Sequence, residues 1–83
     1  MNANNKVFRA FLKMGVKGAA VELPIYPRNS KKTFFTNIEA GVKRLESVAK
    51  KFYSQGDVPE VFTGIIYQYQ NGERVANVYQ IAL

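Results

Sequence analysis

Arg9, Phe11 and Lys13 alternate along one stretch of the chain, and Tyr67, Tyr69 and, after a turn, Arg74 recur along another. Positions two apart share one face of a strand, so each group sets cations beside flat rings. Cations meet phosphates and rings stack on unpaired bases, which is how sheet platforms hold single-stranded DNA or RNA. Tyr26 joins the first group if the strands flanking Gly15-Val16-Lys17-Gly18 pair. The same residues also suit ordinary sheet packing or an oligomer interface, because no motif of a named nucleic-acid module accompanies them.

A second candidate is Arg28-Asn29-Ser30-Lys31-Lys32-Thr33, which precedes the main predicted helix. Backbone N–H groups and the positive dipole end at a helix start favour an anion. Three cations there oppose the dipole, and a bound phosphate would offset that cost; a solvated loop is the plainer reading.

Catalysis finds little to work with. The chain has no histidine and no cysteine, which removes imidazole bases, thiol nucleophiles, zinc sites and disulfides together. Glu22, Glu39, Glu46, Asp57, Glu60 and Glu73 form no pair or metal spacing, and Gly15-Val16-Lys17-Gly18 lacks the spacing of a Walker phosphate loop. The expectation is a non-enzymatic protein with no cofactor and no metal.

The net charge of +6 is unevenly spread. Residues 1–32 hold Lys6, Arg9, Lys13, Lys17, Arg28, Lys31 and Lys32 against Glu22 alone, whereas the charges of residues 33–83 cancel. A one-sided basic field suits an anionic partner.

The elements that must position these side chains can be read from periodicity. Thr33 to Ser54 predicts a helix. On a wheel of 100° per residue, Ile38, Gly41, Val42, Leu45, Val48, Ala49, Phe52 and Tyr53 form one apolar stripe. Glu39, Lys43, Arg44, Glu46, Lys50 and Lys51 lie opposite, a solvated face. Thr36-Asn37-Ile38-Glu39 fits a capping box, and Gly56 followed by Pro59 marks the end.

Lys6 to Met14 fits a strand as well as a helix. With a four-residue turn at Gly15 to Gly18, Met14 faces Ala19, Leu12 faces Val21, Ala10 faces Leu23 and Phe8 faces Ile25, so apolar side chains gather on one side. Asn71-Gly72 is a strong hairpin signal and joins Glu60 to Gln70 with Glu73 to Leu83, Gln70 facing Glu73.

The predicted fold is α+β in the order ββαββ: two antiparallel hairpins in one four-stranded sheet, strand order open, with the helix at about 33–54 on one face. An αβαββ order is the alternative. One small domain spans 1–83, with the first few residues expected to lack order. The face that the helix leaves bare would expose aromatic side chains.

Two functions follow as expectations. The first is a small basic domain, dimeric, binding single-stranded nucleic acid through Arg9, Phe11, Lys13, Arg28, Lys31, Lys32, Tyr67, Tyr69 and Arg74. The second is a protein-binding module, such as a compact inhibitor or accessory regulatory subunit of the kind viruses encode. It would dock on a larger protein, or on a protein–nucleic-acid complex, through its bare sheet face or an edge strand. With no apolar run of membrane length and no signal peptide, a cytoplasmic location is expected and a membrane is not.

Overall fold

The computed structural model describes residues 6–25 and 34–83. Its elements run β1 (Lys6–Gly15), β2 (Val21–Pro24), α1 (Ile38–Gln55), β3 (Val61–Gln70) and β4 (Glu73–Ala82), the expected ββαββ order. The strands form one antiparallel sheet in the order β2-β1-β3-β4. Its centre is the pairing of β1 with β3, unbroken from Lys6 opposite Gln70 to Gly15 opposite Val61.

Alternation along β1 and β3 sorts the side chains. Phe8, Ala10, Leu12 and Met14 meet Phe62 and Ile66 on the side that carries α1, where they pack with Leu45, Ala49, Ile38, Val42, Val48 and Phe52. The helix comes close because glycine stands at both contact points. A Cβ on Gly64 would lie 2.9 Å from Leu45, and one on Gly41 would lie 2.9 Å from Ile66. Leu45, only 1 % exposed, therefore occupies the hollow that Gly64 leaves.

The helix begins at Ile38, not at Thr33. Phe35 instead forms an antiparallel bridge with Phe8, each amide donating to the other's carbonyl at 2.7 and 2.9 Å, and that extended backbone cannot also be helical. Asn37 replaces Thr36 as the cap, its Oδ1 accepting from the Ala40 amide at 2.8 Å. The end is as expected. Gly56 takes a left-handed conformation and its amide donates back into the last turn. Tyr53 departs from the stripe: it is exposed, and its hydroxyl donates to the Leu83 carbonyl at 2.7 Å.

The first hairpin pairs two residues out of the expected register. Leu12 faces Leu23 and Met14 faces Val21, and the Ile25 amide donates to Ala10. The connection is therefore longer than four residues, with a turn closed by the Ala19 amide on the Val16 carbonyl. A shift of two keeps every side chain on its face. Val21 and Leu23 stay exposed, because α1 lies over β1 and β3.

In the second hairpin Asn71 and Gly72 have positive φ, and Gln70 faces Glu73 as expected. Beyond it β4 carries two bulges. The pairs Gln68 with Ala76 and Tyr67 with Asn77 replace the predicted ones, and after Tyr79 the side chains return to their expected faces.

Candidate binding face: two arginines on an aromatic floor

The face of the sheet away from α1 receives Arg9, Phe11 and Lys13 from β1, Ile65, Tyr67 and Tyr69 from β3, and Arg74 from β4. Their meeting follows from register. Arg9 stands opposite Tyr67, Phe11 opposite Ile65, and Arg74 opposite Tyr69. The Phe11 and Tyr67 rings meet edge to face with centroids 5.4 Å apart. Five of the residues expected to act together, Arg9, Phe11, Tyr67, Tyr69 and Arg74, thus form one cluster.

The rings are the floor of this cluster and the cations its roof. Arg74 Cζ lies 3.8 Å from the Tyr67 ring centroid, 5.3 Å from Phe11 and 5.9 Å from Tyr69. Its Nε and Nη2 both donate to the Tyr69 hydroxyl at 3.3 Å. Arg9 Cζ sits 5.1 Å from Phe11, 5.4 Å from Tyr69 and 5.6 Å from Phe34. Such contacts hold a planar guanidinium in place through the ring quadrupole. The expectation that this face bares its aromatics is corrected: Phe11 and Tyr69 are only 7 % and 8 % exposed.

Two members lie outside the predicted site residues. Phe34, assigned to the helix by periodicity, belongs to the extended segment beside β1 instead. It is 48 % exposed and packs edge-on against Tyr69 with centroids 6.1 Å apart. Glu22 faces Lys13 across the β1–β2 ladder and accepts the Tyr67 hydroxyl at 2.8 Å. The alternation of Glu22 with Pro24 already put it on this face; the hydroxyl contact needed the β1–β3 pairing.

Electrostatics follow the geometry. Burial, then the hydrogen bond and negative charge of Glu22, raise the Tyr67 pKa above its ordinary 10.0. Hydrogen bonding to Tyr69 raises that of Arg74, against the opposing effect of burial. The Nε of Arg9 is buried with no acceptor among the described residues.

Lys13 lies exposed on the same face, beyond Phe11. Tyr26, Arg28, Lys31 and Lys32 lie outside the described residues. The helix starts at Ile38 and is capped by Asn37. An open groove of about 840 Å³ lies elsewhere, between α1 and the end of β4, lined by Lys43, Glu46, Ala49, Lys50, Tyr53 and Leu83. Its charges are mixed and do not converge. Among the described residues no group of three or more acidic or metal-binding side chains gathers, and no helix is long and apolar enough to cross a membrane.

No protein-family description, no curated protein and no solved structure matches this chain.

Proposed function

We propose that this is a small non-enzymatic binding domain that grips single-stranded nucleic acid with the face carrying Arg9 and Arg74. The observation that supports the reading is the pair of guanidinium groups fixed over the same two rings, Phe11 and Tyr69. An arginine held against aromatic rings has lost part of its side-chain freedom before a ligand arrives, so less is lost when it binds phosphate. Its exposed plane can also take a base, as arginine planes do in single-strand recognition. Phe34 is the ring open for stacking. Phe11 and Tyr69 act from beneath, by holding the cations, and Tyr67 lies between these roles. Lys13 on this face would extend the basic track, and Arg28, Lys31 and Lys32 are further candidates for phosphate contact. Glu22 opposes it, accepting the hydroxyl of the Tyr67 ring on which Arg74 lies, so the face favours phosphates near Arg9.

The alternative, docking on a larger protein as an inhibitor or accessory subunit, draws on the free edge of β4 rather than on this face.

Fluorescence anisotropy of a labelled single-stranded oligonucleotide across a salt series tests the proposal. Affinity should fall steeply with salt, and Arg74→Ala should lower the log–log slope by roughly 0.7. Phe34→Ala should cost about 1 to 3 kcal/mol with little change in slope. Absence of binding by the wild type at low salt would remove the reading.

A further inference from the structure

The sheet ends in two unlike edges. β2 is four residues long and closes on Pro24, which has no N–H to offer a neighbouring strand. β4 is ten residues long, and Val75 to Leu83 contains no charged residue in a chain of net charge +6. Proteins usually guard such an edge with charges, proline or bulges. Here bulges blunt the half of β4 nearest the turn, between Arg74 and Tyr79. Tyr79 to Ala82 stays regular, and no described strand pairs with its outer edge.

The direction of its free backbone groups can be read. The Leu83 amide donates to the Phe62 carbonyl at 2.8 Å, and the register runs unbroken from there through Ala82 opposite Thr63 to Tyr79 opposite Ile66. Antiparallel ladders alternate, so Ile81 turns its N–H and C=O toward β3 while Gln80 and Ala82 turn theirs to the open edge. Ile81 meanwhile leaves its side chain 45 % exposed on the helix side.

We infer that this edge pairs with the same edge of a second copy, antiparallel and centred on Ile81. Gln80 of each chain then exchanges both backbone bonds with Ala82 of the other, and Ile81 meets its own copy at a non-hydrogen-bonded position, where side chains come closest. Tyr79 faces Leu83 of the other chain, which completes the cover of two half-buried core residues. A register centred on Gln80 would bring Val78, a bulge position, into the ladder, so the one centred on Ile81 is preferred. The occupant is a second copy because the edge is complementary to itself, and because an uncharged strip is where two cationic chains can approach. The axis relating two identical antiparallel strands is perpendicular to the sheet. Both arginine faces therefore lie on one side of an eight-stranded sheet and both helices on the other. The pairing does not depend on the nucleic-acid reading, and its salt dependence has the opposite sign: screening relieves the repulsion between copies but weakens phosphate contacts.

Sedimentation equilibrium at low and high salt, together with two single-cysteine variants, tests it in a chain with no cysteine of its own. The wild type should dimerise, more tightly at high salt, and Ile81→Lys should weaken dimerisation at least tenfold. Under mild oxidation Ile81→Cys should give a disulfide-linked dimer, since Cα atoms about 4.5 Å apart suit a disulfide. Val75→Cys, on the same strand but far from the axis, should remain largely unlinked. A wild type that stays monomeric at high salt and high concentration overturns the inference, as does equal cross-linking of the two cysteine variants. If Ile81→Lys fails to fold, the cysteine pair still decides.

Discussion

On the helix side of the sheet Leu45 fills the hollow over Gly64 and Ile66 closes on Gly41, aliphatic surface against backbone. On the other side Phe11 and Tyr69 are shielded by the guanidinium groups of Arg9 and Arg74. Both arrangements keep water from the sheet, but they differ in what they can release. An aliphatic lid stabilises through the apolar area it removes from water and has nothing to offer a ligand. A guanidinium lid contributes less to stability and carries N–H donors that an aliphatic lid lacks, so it can exchange a ring for a phosphate at modest cost. The first face makes the fold; the second is where a function can be carried.

The comparison breaks first at Leu45. Truncation to alanine should cost about 2 to 5 kcal/mol in urea or thermal unfolding, because α1 is held too close to Gly64 for the cavity to close. Leu12→Asp on the same face should prevent folding, while Lys13→Asp, one residue away and exposed, should leave the circular dichroism spectrum unchanged. Comparable costs for the two aspartates would mean that the faces are not distinct.

Smaller effects are expected where arginine is the lid. Arg74→Ala should lower stability by about 0.5 to 2 kcal/mol. Arg74→Lys should recover only part of this, since an ammonium cannot lie flat on Tyr67 or place two donors on the Tyr69 hydroxyl. A lysine variant as stable as the wild type would show that charge alone, without planarity, matters here.

The smallest effect is one of pH. Burial and Glu22 hold Tyr67 protonated above the 10.0 at which an unfolded tyrosine ionises. Below that value both states keep the proton and the stabilisation is fully present. Above it the unfolded chain loses a proton that the folded chain retains, so unfolding releases a proton and stability falls as pH rises. Urea unfolding at about pH 9 and about pH 11 should show this loss, and Tyr67→Phe should reduce it. The same variant should cost roughly 0.5 to 1.5 kcal/mol at neutral pH, the worth of one hydrogen bond.

Much of the architecture was legible because it is local. Asn71-Gly72 specifies its hairpin, Gly56 ends its helix, and alternation gives each strand two faces. What escaped was non-local or invisible to a period of two. The β1–β3 pairing joins segments some fifty residues apart, and no local pattern encodes it. The first hairpin could slide by two residues without moving any side chain to the wrong face. Bulges in β4 leave no mark in an alternation already half apolar on both sides. Phe34 and Phe35 fall inside the helix predicted from Thr33, although Phe8 holds Phe35 extended. The candidate site was legible as a set of residues but not as layers. Spacing put cations and rings on one face, and only the cross-strand register puts Arg9 and Arg74 above the rings and Phe34 beside them.

The central claim is that the arginine-covered face, not the helix face, meets the ligand. Titrating isotope-labelled protein with a short single-stranded oligonucleotide and following amide and arginine Nε–H resonances by NMR tests this most directly. The account predicts the largest shifts at the Nε–H of Arg9 and Arg74 and at the amides of Phe11, Lys13, Phe34, Tyr67 and Tyr69, with α1 residues such as Lys43, Lys50 and Lys51 nearly unmoved. Shifts concentrated on α1, or spread evenly over every lysine, would contradict it.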